Sequence, residues 1–597
     1  MDTMNYRNLT DAEVSRLEAL GNRADDWSTV MVSEVFDAEC LRGNTFDGPV
    51  RLGAIAKGKV AAGGLALHEG VYNSTLDGVT LGDHPAVHNV RMLAGYTIGN
   101  NVVLLNIDEM TADAGAEVWL EPMNENGGRR LMPFSGMTIG DAYFWARYRG
   151  HKQLMERLEA FTRQSLADGA YGVVGDCCTV KNTKVIRNVA IRSAADDRTL
   201  VDSCMVLSDG VIGTGCTLEY GVVAVRFLLG EHVHLEFGLR LNDTVVGDNS
   251  TLARCEVGNS IIFPAHEQHH NNSFLIAGLV MGQSNIAAGG TIGSNHNSRT
   301  ADGEIAAGRG FWPGLCCSFK HSSRFASYCL LAKADYPAEL DITLPFALVN
   351  NNAAADCLEV MPAYWWMYNM YAMDRNSKKF AKRDKRVVKA QHIEFDNLAP
   401  DTAEELLKGI DLLGEWIDAS TDGRVFAKGM EKSKRPTVIL KAEAGRDAYR
   451  EMLMFYAMKS LVAAYGEQMP PAELARGERQ REWVNLGGQL VAGDDMARLI
   501  ADTENGAIDS WKALNARLDS LWQEYPRQRA THAYKVLCHL AGTDTVDADT
   551  WNRCMHRYRE IEDKIAAEIK TSRHKDEVNP FRRMTYWDEA EMDAVLG

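Results

Sequence analysis

The sequence predicts a fold that is mostly β plus α, in which a left-handed parallel β-helix carries a helical insertion and precedes an α-helical C-terminal domain. Two observations support this prediction. From about residue 33 to 352 an aliphatic residue followed by glycine recurs, and the steps between these glycines cluster near multiples of six. Beyond about residue 355 the hexads stop, and apolar residues return at the i, i+3, i+4 spacing of helices. The recurring pairs are Leu52-Gly53, Leu81-Gly82, Ile98-Gly99, Val174-Gly175, Ile212-Gly213, Leu229-Gly230, Val246-Gly247, Val257-Gly258, Met281-Gly282 and Ile292-Gly293.

Hexads of this kind are typical of a chain wound into a triangular coil, with one short parallel strand on each side and three hexads in each turn. The aliphatic residue of each hexad points inward and stacks on its counterparts in the turns above and below. We expect the glycine that follows to form the corner, because glycine tolerates a positive φ best. The 17-residue steps from Gly213 to Gly230 and from Gly230 to Gly247 therefore mark about one turn each.

Residues 1–32 precede the repeats and are predicted to form an N-terminal helical cap. Thr10 and Glu13 have the spacing of a capping box, in which the side chain of each residue accepts a hydrogen bond from the backbone N–H of the other. Leu17 follows at helical spacing, and Gly21 can close the helix.

Two later segments also have helical spacing. Within the β-helix of residues 33–352, aromatic and aliphatic residues at about 139–166 indicate one or two helices that stand out from the coil. Residues 353–597 contain several long amphipathic runs and no hexads, so we expect an α-helical C-terminal domain there.

The composition narrows the classes of function. A chain of 597 residues has material for several packed cores. Its formal net charge of −17 argues against a general nucleic-acid binder, since that class neutralises phosphates with excess cations. The polar N-terminus and the lack of an 18-residue apolar run predict neither a secretory signal nor a membrane span. The 12 cysteines include no C-x-x-C pair, so we expect reduced thiols in a cytoplasmic protein.

Polar side chains concentrate between residues 264 and 321, a segment that holds five of the 16 histidines. Apolar side chains must fill the inside of a coil, so this polar run has to lie at corners, on an outer face or in a loop. Neutral imidazole can take a proton from the acceptor during acyl transfer, and asparagines can hold the oxyanion that develops. The predicted catalytic residues are His270, His269 and His296. The residues predicted to bind substrate include Asn271, Asn272, Arg299 and Lys320, and we expect all these side chains to converge on one face.

Two other interpretations of this cluster stay open. The asparagines can form a hydrogen-bonded ladder that satisfies the coil, with the histidines at solvated corners. Alternatively, His266, His270 and His296 supply enough imidazoles for a three-histidine zinc site.

The most basic run of this acidic chain, residues 375–386, follows the aromatic residues 364–368. One interpretation is a solvated helix face beside an aromatic plug that caps the coil. The other is an anion site for the phosphates of CoA or of a sugar nucleotide. Arg309, Arg299 and Lys320 are rival candidates for that anion site.

The repeats resemble those of the trimeric hexapeptide transferase superfamily, which includes acyltransferases and γ-class carbonic anhydrases. Residues 284–295, SNIAAGGTIGSN, resemble the N-I-G-A-G-T-I-x-x-N stretch in the acetyltransferase half of bacterial glucosamine-1-phosphate acetyltransferase/uridyltransferase. The resemblance implies that Asn285 and Asn295 line an amino-sugar and acetyl-CoA site, with an insertion of one residue between them. It also implies an upstream general base, which His269 or His270 matches to within about one residue.

Taken whole, the chain is similar to a domain-of-unknown-function family of Bacteroidetes proteins, often labelled hexapeptide transferase, that join a β-helix to a helical domain. The resemblance implies CoA-dependent acyl transfer to a sugar phosphate or a nucleotide sugar, with acetyl-CoA or another acyl-CoA as donor. It also implies a homo-oligomer, a trimer above all, with its sites between subunits. A metal-dependent lyase or hydrolase of the γ-carbonic-anhydrase type is one alternative function. A non-catalytic sugar-nucleotide binder or scaffold is the other.

Overall fold

The structure is a computed structural model that describes residues 6–62, 64–124, 127–167, 171–293 and 303–596. It is a left-handed parallel β-helix of about 17 turns with an inserted helical segment and a helical C-terminal region, which confirms the predicted fold class.

The coil has three faces, named face 1, face 2 and face 3 in the order in which the chain visits them during one turn. Val206 pairs with Val223, and Val223 pairs with Arg240, so successive turns are 17 residues apart in this part of the coil. Each face is a parallel ladder, because every turn places its strand directly on the strand of the turn before.

The strands are short, and six longer ones bend from face 1 through a corner into face 2. These six are Thr45–Leu52, Thr75–Leu81, Val185–Ile191, Val206–Ile212, Val223–Leu229 and Arg240–Val246. The shorter strands of face 1 are Arg23–Ala24, Leu93–Ala94, Glu109–Thr111, Cys255–Gly258, Ser273–Ile276, Thr291–Ile292, Ser318–Phe319 and Asp335–Tyr336. Those of face 2 are Val30–Ser33, Thr97–Ile98, Val173–Val174, Ile261–Ile262, Gly278–Val280, Ile305–Ala307, Ser323–Phe325 and Asp341–Ile342. Face 3 consists of Leu41–Arg42, Gly70–Tyr72, Ala86–Val90, Val103–Ile107, Thr179–Lys181, Leu200–Asp202, Thr217–Glu219, His234–Glu236, Thr251–Ala253, Glu267–Gln268, Trp312–Pro313, Leu330–Leu331 and Leu348–Asn352.

The remaining strands lie outside the regular turns. They are Tyr6–Asn8, Lys59–Ala62, Leu65–His68, Cys357–Met361, Val425–Ala427, Thr437–Ile439, Trp483–Leu486 and Gln489–Ala492. The helices are α1 (Asp11–Ala19), α2 (Ile139–Arg147), α3 (Lys152–Ala167), α4 (Tyr364–Tyr368), α5 (Met370–Arg383), α6 (Pro400–Asp418), α7 (Ala442–Tyr465), α8 (Gly493–Asn505), α9 (Trp511–Ala541), α10 (Ala548–Glu577), α11 (Pro580–Arg583) and α12 (Glu589–Leu596). Short 3₁₀ helices span Trp27–Thr29, Ala38–Cys40 and Ala472–Arg476.

The inward side chains of the coil form apolar columns, as the hexads predict. Leu229 pairs in register with Val246, and Val246 pairs with Ile262 on the next turn. All three side chains are buried. Since burying one such side chain stabilises a fold by about 1.5–3 kcal/mol, these columns are the main stabilising element of the coil.

The glycines that follow the aliphatic residues are needed for a reason other than the expected one. Of the ten glycines in the recurring pairs, only Gly282 and Gly293 have a positive φ. At seven of the other eight positions, all except Gly258, a neighbouring turn approaches too closely for a side chain. A Cβ built on Gly213, for example, would lie 2.1 Å from the carbonyl oxygen of Gly230. Positive φ values fall instead on corner residues such as Asp209 and Arg226, which adopt the left-handed conformation without being glycine.

The ends of the coil differ in two respects from the predicted boundaries. The capping box of Thr10 and Glu13 is present in α1, but the strands Arg23–Ala24 and Val30–Ser33 already pair with the coil inside the segment predicted as a helical cap. The C-terminal region also contains strands, among them Cys357–Met361, which pairs antiparallel with the last strand of face 3. Strands of two to five residues are too short to show a period, so the sequence pattern missed them.

The helical insertion covers the middle of face 2. From Ala190 to Leu279 the outward side chains of this face are apolar, and they form one buried cluster with α2 and part of α9. The Tyr143 ring packs edge-on against Phe263 with centroids 5.1 Å apart, and Trp145 lies 6.1 Å from Trp511 of α9. The insertion is therefore held between the coil and the helical C-terminal region. No helix in the described parts of the chain is at once long enough and apolar enough to cross a membrane.

The close approach of successive turns at Gly213 makes a testable prediction. Gly213→Ala forces a Cβ into the backbone of the next turn, and we expect it to lower the free energy of unfolding by about 1–3 kcal/mol, as overpacking of a rigid core does. Gly414→Ala in α6 is the matched control, because nothing lies within 4 Å of its Cβ. We expect the control to be neutral or stabilising by up to about 1 kcal/mol. Thermal melting of both variants tests this, and an unchanged melting temperature for Gly213→Ala would contradict it.

Candidate functional site: a cleft between the coil and helix α5

Helix α5 lies across the outer side of face 3 and is anchored there by ion pairs. Lys379 Nζ lies 2.7 Å from a carboxylate oxygen of Glu267, and Arg383 Nη1 lies 2.5 Å from the same carboxylate. Burial by itself would raise the pKa of the Glu267 carboxyl, but Lys379 and Arg383 hold that pKa below its usual value. Glu267 is therefore an ionised anchor between the coil and the helix.

A cleft of about 310 Å³ opens beside this anchor, and we call it the α5 cleft. One wall comes from three turns of the coil and the other from α5 and the residues that follow it. The residues that line it are His232, His234, Glu236, Asn249, Thr251, Ala265, Glu267, Phe380, Arg383 and Lys385. Two imidazoles on one wall thus face two cationic side chains on the other.

His232 lies beside a carboxylate that comes from two turns earlier in the coil. Its Nε2 lies 2.9 Å from Oδ1 of Asp197, which is buried, but the contact lacks the geometry of a hydrogen bond. Gly215 packs against both groups, since a Cβ at that position would lie 2.4 Å from Asp197 Oδ1 and 2.6 Å from His232 Nε2. A carboxylate beside one ring nitrogen orients an imidazole and stabilises its protonated form. The pair therefore brings a carboxylate within ion-pair distance of an imidazole, a combination of groups that general-base sites use.

His234 is the second imidazole of the cleft. It lies on the strand His234–Glu236, where the alternation of a β-strand points it outward from the coil. Burial lowers its pKa, although the nearby Glu236 acts in the opposite direction. His234 is therefore neutral near pH 7 and able to accept a proton or a hydrogen bond.

The basic run 375–386 divides into structural and accessible residues. Arg386 is buried and donates to Asp248 at 2.5 Å and to Asp384 at 2.8 Å, so it fixes the chain after α5 onto the coil. Arg383 is 61% exposed despite its pair with Glu267. Lys385 lines the cleft without an ion pair among the residues that the structure describes. Arg386 is therefore not part of a solvated helix face, whereas Arg383 and Lys385 are accessible, and the anion site stays a prediction for them.

The predicted bases His269 and His270 lie at the corner where face 3 leads into face 1. Their ring centroids are 4.5 Å apart, and His270 is the more exposed of the two. Burial lowers the pKa of His269, while Glu267 raises it. Asn285 also lies near Glu267, because the two residues form a parallel bridge on face 3. His269 and Asn285 are thus placed at the Glu267 end of the α5 cleft.

Asn271 and Asn272 contribute to the backbone structure of the same corner. The carbonyl of Asn271 accepts a hydrogen bond from the Gly289 N–H at 3.2 Å, and Asn272 has a φ of 61°. In earlier turns of the coil, nearer to the N-terminus, the same corner carries a ladder of asparagine side chains. There Asn73, Asn89, Asn106 and Asn182 are joined side chain to side chain at 3.0–3.2 Å, which matches the structural interpretation of such residues.

Of the other predicted site residues, Lys320 is described by the structure and lies elsewhere. Lys320 follows the strand Ser318–Phe319 and lies at the corner between face 1 and face 2, a full face away from His269. Asn295, His296 and Arg299 lie outside the described residues. Lys320 therefore does not share a face with His269, and the expected convergence of all these side chains on one face is wrong for Lys320.

His266, a ligand in the proposed zinc site, is a residue of the coil interior. Its Nδ1 lies 2.8 Å from the Ser284 hydroxyl and its Nε2 lies 3.2 Å from Oε1 of Gln268. Burial lowers the pKa of His266 to about 4, so the ring is neutral and both of its nitrogens are engaged. Within the described residues no cluster of three or more histidines, cysteines or carboxylates has metal-binding geometry.

Sequence reasoning missed His232, His234 and Asp197. A signal was present for His234, since the segment HVHLE alternates and places every second side chain outward. No local pattern could have found Asp197, which is 35 residues before His232 and meets it only because the coil stacks its turns.

The buried, neutral state of His266 predicts how stability responds to acid. Because the pKa is about 4 in the folded state and about 6.5 when unfolded, protonation favours the unfolded chain as the pH falls below 6.5. His266→Gln removes this contribution, so its stability relative to the native protein should improve by about 2–3 kcal/mol between pH 7 and pH 4.5. Melting at both pH values measures it. His556→Gln is the control, since that side chain is 79% exposed, and an equal response in both variants would contradict the prediction.

Comparison with known proteins gives a family without an assigned reaction. A family model described as a domain of unknown function, DUF4954, matches residues 6–416. An uncharacterized protein of Treponema pallidum (strain Nichols) is 39% identical over 652 aligned positions, which cover 99% of this chain and 90% of that relative. The resemblance to a domain-of-unknown-function family is thereby confirmed, while the Bacteroidetes origin and the transferase label stay predictions. The chain belongs to the DUF4954 family.

Proposed function

We propose that this protein is a hexapeptide-type acyltransferase that uses a CoA thioester in the α5 cleft. One observation carries the proposal: His232, which lies 2.9 Å from Asp197, and neutral His234 form one wall of a cleft whose opposite wall carries Arg383 and Lys385. Such a cleft combines a proton acceptor with sites for phosphate. The coil of stacked hexads is consistent with this class of enzyme, although a fold alone does not decide the reaction.

The chemistry assigned to His232 is general-base catalysis. The acceptor hydroxyl or amine forms a bond to the thioester carbonyl carbon while its proton passes to the imidazole. Asp197 stabilises the imidazolium that results. When the C–S bond breaks, the thiolate leaves and takes the proton back, so that His232 returns to its neutral form.

Arg383 and Lys385 are assigned to the phosphates of the donor. Charge-assisted hydrogen bonds from guanidinium and ammonium groups to phosphate are among the strongest that proteins form. Lys385 can turn to a ligand without breaking an ion pair in the described structure, and Arg383 can do so while Lys379 keeps Glu267 neutralised. The donor therefore has binding groups that the fold does not need.

The acceptor, a sugar phosphate or a nucleotide sugar, is assigned to the Glu267 end of the cleft. His269 and Asn285 lie there on the outer side of the coil and offer a hydrogen-bonding imidazole and amide. His270 and His296 remain predicted bases from the sequence, whereas the geometry of the cleft favours His232 and His234 in that role.

The expected trimer stays a prediction, and the structure limits how it can form. The middle of face 2 is covered by the insertion of the same chain, so neighbouring coils cannot meet through that part of the face. Sedimentation equilibrium of the full chain distinguishes a trimer from the monomer of 66.1 kDa.

The assignment of the phosphates predicts the effect of removing one cation. Lys385→Ala should weaken CoA binding about tenfold, the loss expected for one charge-assisted hydrogen bond. Lys382→Ala is the matched control, because Lys382 is exposed in the same basic run and does not line the cleft. Isothermal titration with CoA measures both variants. No binding of CoA by the native chain, or an equal loss in both variants, would refute the proposed donor site.

The assignment of the base predicts a loss of turnover without a loss of binding. His232→Asn keeps a residue that tolerates the φ of 53° at this corner, and it should reduce acyl transfer by about 10²–10⁴-fold. Asp197→Asn should reduce turnover as well, while both variants bind CoA normally. Release of the CoA thiol from acetyl-CoA and longer acyl-CoAs, with sugar phosphates as acceptors, measures the rate. Full turnover in His232→Asn would show that the base lies elsewhere.

A further inference from the structure

A second and larger cavity lies where α2, α6, the coil and the strand Trp483–Leu486 meet. We call it the junction cavity. Its volume is about 880 Å³, which is in the range of sites for cofactors and nucleotides. The residues that matter below are Arg147, Tyr148, Glu405, Lys408, Arg481 and Trp483.

Several charges around the junction cavity serve the fold. Arg309, 2% exposed, makes a two-pronged ion pair with Asp401 at 2.7 and 2.8 Å, which ties the coil to α6. Glu404 accepts from His532 Nε2 at 2.9 Å and lies 3.1 Å from Arg479 Nε. Each of these charged groups already has an oppositely charged or hydrogen-bonding partner within the protein. They therefore form a fixed wall of the cavity and are not free to bind a ligand.

Three cationic side chains of the cavity have no carboxylate partner among the described residues. Arg147, Lys408 and Arg481 all line it and are exposed to solvent, yet none forms an ion pair with a carboxylate of the described residues. They come from the end of α2, from α6 and from the segment before Trp483, so only the tertiary structure brings them to one cavity. The exposed carboxylate of Glu482 also lines the cavity, but three unpaired cations outnumber it. Such an excess of positive charge in a chain with a net charge of −17 marks a place where an anion is favoured.

The carboxyl of Glu405 does not oppose an anion as strongly as an ordinary glutamate would. It accepts a hydrogen bond from the Ser327 N–H at 3.0 Å. Burial, and then the charge of Asp401, raise its pKa to about 7. A carboxyl with its pKa raised in this way is protonated more often near neutral pH than an ordinary glutamate, and in that form it can donate a hydrogen bond to a ligand.

Two aromatic side chains stand beside the cations. Trp483 donates from its indole N–H to the Gln480 carbonyl at 3.0 Å and packs edge-on against Tyr525, which fixes its ring. Tyr148 packs edge-on against Phe144 with centroids 5.5 Å apart. Fixed aromatic rings offer surfaces on which a planar base can stack.

We propose that the junction cavity binds a nucleoside phosphate, with the base against Trp483 or Tyr148 and the phosphates on Arg147, Lys408 and Arg481. Aromatic rings next to unpaired cations match the two halves of such a ligand, a planar apolar base and a polyanion. This site is separate from the α5 cleft and does not depend on the proposed acyl transfer.

The test is isothermal titration of the full chain with ADP, GDP, UDP and CDP. We expect at least one of the four to bind, and the double variant Lys408→Ala/Arg481→Ala to weaken it more than tenfold. Lys428→Ala/Arg527→Ala is the matched control, since both side chains are exposed and neither lines the cavity. The control should change affinity less than twofold.

Two further measurements distinguish binding in the junction cavity from binding at other anion sites. Lys385→Ala in the α5 cleft should leave nucleotide binding unchanged, and pyrophosphate should bind more weakly than the nucleotide because it cannot stack. The proposal is overturned if none of the four nucleotides binds or if the double variant binds them normally. Loss of binding in Lys385→Ala, or pyrophosphate binding as tightly as the nucleotide, would overturn it equally.

Discussion

The close stacking of one coil turn on the next is the constraint on which the rest of this structure depends. Each backbone ladder requires its neighbour at hydrogen-bonding distance on all three faces, and at positions such as Gly213 and Gly230 the approach leaves no room for a Cβ. The apolar columns inside follow from this stacking. The arrangement of the outer surface also follows from this stacking. The position of a residue within its turn decides which residues of the neighbouring turns lie directly above and below it.

The stacking also explains how polar residues far apart in the chain meet. Asp197 reaches His232 across turns, and Glu267 lies beside Asn285 one turn further along. The helical C-terminal region uses the same outer faces. Glu267 holds α5 through Lys379, Asp248 holds the chain after α5 through Arg386, and Asp401 of α6 holds Arg309 of the coil. Both cavities lie next to these anchors, where two parts of the chain meet and neither fills the space.

The structure separates polar residues that serve the fold from those left over for a ligand. His266 is inside the coil with both ring nitrogens engaged, and the asparagine ladder from Asn73 to Asn182 satisfies a corner. By contrast, Lys385, Lys408 and Arg481 line cavities and have no carboxylate partner among the described residues. Density of histidine or asparagine along the sequence does not make this distinction, since a side chain that completes a corner and one that binds substrate have the same chemistry.

The sequence by itself determined the β-helix, the helical insertion and the change to helices near residue 355, because each has a periodicity that a few residues suffice to reveal. It also indicated the neighbourhood of His269 and Asn285, which lies beside the α5 cleft. Only the tertiary structure decided that His266 faces inward, that Lys320 is at another corner, and that Asp197 meets His232. The physical reason is that a period specifies which side chains point in or out, whereas the register of stacked turns and the docking of α5 and α6 decide which of them touch.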